Sequence, residues 1–362
     1  MTDIFKNLKV IELAGVLAGP SVGQFFAELG AEVIKIENPN TNGDVTRSWK
    51  LKTEDPQDPA SAYFWSVNTF KKFLALDLSQ PKQLQQLYQL CGEADIVLTN
   101  YKKGDDIKLK VDYDTLRKIN PKMIYASVNG FGENSNRVAF DLILQAESGF
   151  MSMNGEQKEQ TLKMPVAMID LMAAHQLKES ILIALLKRNM SGEGAHISVS
   201  LFDSAVASLV NQASNWLNAQ HLPAPMGSLH PNIAPYGELF ETKDKQRITF
   251  AIGSNKQFAQ LCQIIDMPLL ANQPKFKTNR LRLSNRSELY GLMYDAIKKI
   301  NYAYLMDACL AQEVPIGKIR NIKEVFELPE AQALIKTQVN GEQQIKSVSS
   351  IAFKFLNDGN HN

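Results

Sequence analysis

Cysteine is scarce in this chain and scattered. Its 362 residues include three, Cys91, Cys262 and Cys309, an odd number with no metal-binding spacing. A disulfide framework and a cysteine-based zinc site are thereby excluded, and a reducing cytoplasm is the expected setting. No apolar run approaches the length of a bilayer span. Residues 1–6 have no signal-peptide core, so no leader is expected. Neither sign of charge dominates: Lys plus Arg is 39 and Asp plus Glu 38. Nothing in that balance calls for nucleic acid or an anionic membrane. Internal repeats and low-complexity tracts are absent, and only residues 357–362 read as a frayed tail. Apolar residues, by contrast, make up 44% of the chain, enough for a sizeable core without staples, and the length suggests about two domains.

The first 37 residues read as strand, turn, helix, strand. Val-Ile-Glu-Leu at 10–13 leads into a turn with Gly15 and Gly19, and Ala-Glu-Val-Ile-Lys-Ile-Glu at 31–37 forms the second strand. Pro20 suits a first helical turn and Gly30 the residue that ends a helix. So short a helix makes a tight right-handed βαβ unit, whose turn offers N–H groups to a phosphate. Glu37 stands where dinucleotide folds place a ribose-binding acid. The chain has no G-x-G-x-x-G, so a nicotinamide site is not indicated, and the glycines alone require only a tight turn and close packing.

A second informative segment is Val-Ala-Met-Ile-Asp at 166–170. An apolar run ends at a lone carboxylate, Asp170, and a helix begins. Leu171, Leu177, Ile181, Leu182, Leu185 and Leu186 recur at helical spacing until about Arg188. Free N–H groups and the helix dipole favour an ionised carboxylate there. Such a group serves as an N-cap or as a nucleophile toward an activated carbonyl. Taken alone, the segment favours the cap. His175, five positions on, lies about 140° round the helix from Asp170 and reads as a core or surface residue.

Alternation of α and β continues to about residue 200. Strands are expected at 8–13, 31–37, 74–78, 95–99, 123–129 and 197–202, with helices between them. The fold class is therefore α/β, a doubly wound Rossmann-like large domain, with a smaller α+β domain after it. The expected divisions are 1–215 for the large domain, 216–235 for a linker, 236–318 for the small domain and 319–362 for a segment returning to the large one. In the small domain a strand is expected at 247–252 and helices at 255–265, 285–300 and 302–312.

The motifs at 10–13, 17–20 and 27–37 resemble the start of the class III CoA transferases. That family includes the formyl-CoA and carnitine-type enzymes and the related α-methylacyl-CoA racemases. Further blocks follow in family order: Asn68 with Lys71, 75–78, 94–101, 129–132, 140–146 with Ser148 and Gly149, 192–203, 230–236, 279–280 with 285–286, and 314–317. The resemblance implies that Asp170 is the catalytic nucleophile, not a cap. It implies CoA contacts at Val16, Leu17, Ala18, Asn68, Thr69, Lys71, Asn100, Tyr101, Lys108 and Phe140, with Lys71 and Lys108 as phosphate partners. It also implies an interlocked homodimer, an acyl-CoA and a small carboxylic acid as substrates, and neither a metal nor a cofactor beyond CoA.

Four departures bear on CoA binding and on the chemistry. Asn38 stands where many relatives have Arg, and Lys102 or Lys103 must supply the basic residue after Tyr101. Phe140 stands where the racemases have His, and Phe cannot move a proton. Proton exchange would have to use Asp141, which makes a racemase the second reading and a non-catalytic CoA-binding protein the third. Met226–Pro231 replaces the glycine-rich loop of the formyl-CoA enzymes. Phe150, Met151, Met153, Leu229 and Ile233 are the apolar residues available for an acyl pocket, pointing to an acid less polar than oxalate.

Overall fold

A computed structural model describes residues 3–156, 161–341 and 343–356, so the tail at 357–362 lies outside the described residues. The chain divides into two compact units. One comprises Met1–Met151, Lys163–Leu222 and Gln332–Asn362; the other comprises Ser152–Leu162 and Pro223–Ala331.

The first unit is built on six strands: β1 (Lys9–Glu12), β2 (Glu32–Glu37), β3 (Lys72–Ala75), β4 (Ile96–Thr99), β5 (Ile124–Asn129) and β6 (Ala195–Ser200). All pair in parallel, in the order β3-β2-β1-β4-β5-β6. The strand order reverses between β1 and β4, where doubly wound sheets open a crevice at their carboxyl ends. Successive strand residues face opposite sides. Val10, Val33, Ile96 and Leu98 pack on one face against helix α1 (Ala18–Glu28), while Ile11, Ile34 and Val97 pack on the other with Leu87 and Cys91. Burial of both faces explains why the inner strands read as largely apolar runs, whereas the edge strands β3 (KFLA) and β6 (AHISVS) are partly exposed.

Two further helices carry the site, α2 (Asp141–Glu147) and α3 (Met168–Ser191). Ile169, Ala173, Leu177 and Ile181, one face of α3, are buried with Val22 and Phe26 of α1. Gly19 permits close packing of the first turn, since a Cβ there would lie 2.4 Å from the Ala14 Cβ. Gly30 has φ +95, the left-handed conformation expected at a helix end.

The second unit carries an antiparallel sheet of β7 (Tyr236–Glu241), β8 (Arg247–Ala251) and β9 (Ile316–Lys318), with helices Asn255–Ile264, Arg286–Ile297 and Tyr302–Ala311. Its bounds differ from those expected. Gly227 donates to the Gly155 carbonyl at 2.8 Å, which draws 152–156 into this unit. Lys318 pairs with Glu324 at 2.9 Å, and a capping box joins Asn321 to Glu324, which keeps the chain there past 319. A hairpin of β10 (Ile335–Asn340) and β11 (Gln343–Val348) then belongs to the first unit. Among the described residues no helix is long and apolar enough to cross a membrane.

Candidate active site

A cleft of about 570 Å³ opens at the β1/β4 crevice. Gly15, Val16, Leu17 and Ala18 wall it after β1, Asn100, Tyr101, Lys102 and Lys103 after β4, and Asn129 and Gly130 at the end of β5. Arg137, Phe140 and Asp170 complete it. Of the eleven residues singled out from the sequence, Val16, Leu17, Ala18, Asn100, Tyr101, Phe140 and Asp170 meet here.

Asp170 is the third residue of α3 and only 7% exposed. It does not cap its helix. The cap position is Ala167, which offers no side-chain acceptor. Capping comes instead from α2: Asp141 Oδ1 accepts from the N–H of Ile169 at 2.7 Å and, more weakly, from that of Asp170 at 3.4 Å. The other Asp141 oxygen accepts from Gln145 Nε2 at 2.5 Å, and Gln145 Oε1 accepts from the Met164 N–H at 2.8 Å. One carboxylate thus meets two of the free donors at the helix start and, through Gln145, ties the helix to the preceding loop. The expectation that Asp170 stays ionised is corrected: burial, reinforced by the Asp141 charge, pushes its carboxyl from 3.8 up to about 7. Desolvation disfavours the charged form.

The turn before α1 is held under strain. Val16 has φ +70, which costs a β-branched residue on the order of 1–3 kcal/mol. Asn100 clamps Gly15 on both sides, accepting from its N–H at 3.0 Å and donating to its carbonyl at 2.8 Å. The Asn100 amide is therefore engaged by the turn, although the residue lines the cleft. No side chain caps α1, so its first N–H groups are open to a ligand at a wall of the cleft.

Asn68, Thr69 and Lys71 are not brought to the cleft; all three are buried. Lys71 Nζ contacts both Glu12 oxygens at 3.0 and 2.7 Å, the Pro20 carbonyl at 2.9 Å and Asn68 Oδ1 at 3.0 Å. Three ammonium hydrogens leave none for a phosphate. Burial lowers the Lys71 ammonium to about 8 despite Glu12. Thr69 Oγ1 accepts from Gln24 at 2.7 Å and lies 3.1 Å from Ser347 Oγ. Lys108 is exposed, pairs with Asp105 at 2.9 Å and is not a lining residue. Glu37, in the ribose position, receives a bidentate Arg47 at 2.9 and 2.7 Å. His175 is exposed. Phe150, Met151, Met153, Leu229 and Ile233 are not among the lining residues.

The cations at the cleft are Lys102, Lys103 and Arg137. Arg137 pairs with Glu147 and lies 3.9 Å over the Phe131 ring. Sequence reading missed Arg137, because a lone arginine in a polar loop carries no periodic signal. It weighed Asp141 only for proton transfer, since capping between separate helices is invisible in local sequence.

A sequence model of CoA-transferase family III matches residues 5–358. The chain is 38% identical to the succinate–glutarate CoA-transferase of Agrobacterium fabrum (strain C58 / ATCC 33970), over 92% of this chain and 86% of that one. It is 34% identical to the succinyl-CoA:glutarate CoA-transferase of Homo sapiens, over 90% and 74% of the two chains. The crystal structure of a CAIB/BAIF family protein from Brucella suis superposes with a TM-score of 0.86 at 33% identity, covering 99% of this chain and 94% of that one. The chain therefore belongs to CoA-transferase family III and is a CoA transferase.

Proposed function

We propose that this enzyme moves CoA from an acyl-CoA to a free carboxylic acid through covalent intermediates on Asp170. The observation that carries this reading is a nearly buried carboxylate, Asp170, facing a cleft at the sheet's switch point. A carboxyl raised to about 7 is held by desolvation, not by hydrogen bonds, so its ionised form is a stronger nucleophile than a solvated acetate. The Asp170 carboxylate attacks the thioester carbonyl, giving a mixed anhydride and CoA thiolate. The thiolate attacks the aspartyl carbonyl, releasing the first acid and leaving an aspartyl thioester. The acceptor carboxylate reverses both steps and departs as the new acyl-CoA, restoring Asp170. The open N–H groups of α1 suit the oxyanion formed at each attack.

The relatives' names favour small dicarboxylic acids such as succinate and glutarate as acceptor or as the acyl part of the donor. Lys102 and Lys103, with Arg137, provide the positive rim suited to the CoA phosphates. Exposed apolar residues at Val210, Leu217 and Leu222 support the interlocked homodimer, and a cytoplasmic setting fits three buried free thiols. Racemisation is disfavoured because Phe140 cannot move a proton and Asp141 is engaged in capping α3.

The test is mass spectrometry in heavy water with a panel of acyl-CoAs and carboxylic acids, together with hydroxylamine trapping. New thioesters without α-deuterium, and a hydroxamate at Asp170, are expected. Deuterium at the α-carbon without a new thioester would instead make Asp170 a proton shuttle.

A further inference from the structure

Beneath the cleft wall lies a buried carboxylate that the proposed chemistry does not use. Asp44 is 1% exposed at its side chain. Its Oδ2 accepts from the Val16 N–H at 3.1 Å and lies 3.1 Å from Lys35 Nζ. Its Oδ1 accepts from the N–H and the hydroxyl of Thr46 at 3.0 and 2.8 Å. Lys35 also donates to Glu12 at 2.9 Å and to the Ala14 carbonyl at 2.6 Å. Asp44 is thus aimed by Lys35 and Thr46 at the one residue of the turn whose backbone is strained. A glycine at position 16 would take φ +70 unaided. This chain has valine there, and a valine holds that conformation only where its surroundings impose it.

We propose that Asp44 is a positioning residue for CoA transfer. It clamps Val16 in the left-handed conformation and so keeps the open N–H groups of α1 at the wall formed by Leu17 and Ala18. Asp44 touches no substrate; it acts through the turn. The inference rests on CoA transfer in the Asp170 cleft. Its readout is the rate of thioester exchange, whereas the nucleophile is tested by trapping, so either can fail alone.

The test compares Asp44→Asn, Val16→Gly and the double variant. Asparagine offers a single acceptor oxygen, so its NH₂ faces either Val16 or Thr46, and the turn relaxes. Expected for Asp44→Asn is a fall in kcat of about tenfold or more, with KM for the acyl-CoA changed by less than about threefold. Adding Val16→Gly should recover at least about a third of that loss on a logarithmic scale, because glycine needs no clamp. Rates per folded molecule equal to wild type, or no recovery with glycine, would overturn the proposal. If Asp44→Asn does not fold, Thr46→Val keeps the charges and removes only the hydroxyl that aims Asp44. It should speed amide hydrogen exchange at Val16 and lower kcat about threefold. Faster exchange with unchanged kcat would equally overturn it.

Discussion

Replacing Asp170 with asparagine should abolish transfer and at the same time stabilise the protein. Burial raises this carboxyl from 3.8 to about 7. At about 1.4 kcal/mol per pH unit, holding the ionised group in the fold costs about 4 kcal/mol above pH 7. Water entering the cleft relieves part of this, so a measured gain of about 1–2 kcal/mol is expected for Asp170→Asn. The sign follows from proton linkage. Between about pH 4 and 7 the folded chain keeps a proton that the unfolded chain loses, so wild-type stability falls as pH rises through that window. Asparagine has no proton to lose. The variant's advantage should therefore be near zero at about pH 4, grow through the window and level off above about pH 7. Guanidinium unfolding followed by tryptophan fluorescence is a suitable assay, because Trp49, Trp65 and Trp216 all lie in the unit that holds Asp170. A difference independent of pH, or a variant less stable than wild type at pH 8, would refute the desolvation argument.

Other outcomes follow from the same geometry. Asp141→Ala removes the like charge beside Asp170, so the acid limb of the kcat–pH profile should move to lower pH; loss of the α3 cap should cost about 1 kcal/mol in the same protein. Lys71→Met breaks a buried ion pair and should destabilise by about 3–5 kcal/mol while leaving KM for the acyl-CoA of the folded enzyme within about twofold. A raised KM at unchanged stability would mean that Lys71 reaches a phosphate after all. Changing Lys102 and Lys103 together to alanine should raise that KM about tenfold, and the salt dependence of KM should weaken.

The sequence by itself determined the sheet. The inner strands β1, β2, β4 and β5 follow from largely apolar runs punctuated by glycine, proline and polar turns, because a parallel sheet covered on both faces demands apolar segments, while the edge strands β3 and β6 are partly exposed and mix polar with apolar residues. It also singled out Asp170, since a lone carboxylate between an apolar run and a periodic helix is conspicuous without any partner. The β10–β11 hairpin was missed because Lys336, Gln338, Gln344 and Lys346 dilute its apolar pattern. Tertiary structure alone decided what each polar group does. Lys71 reads as a phosphate ligand until Glu12, 59 residues away, is seen to share its charge. The segment at 166–170, taken alone, reads Asp170 as an ionised cap; in the fold Asp141 does the capping and burial raises the proton affinity of Asp170. Local sequence encodes periodicity and turn chemistry. Charge state and hydrogen-bond partnership depend on which distant groups folding brings within about 3 Å, and on how much water it leaves between them.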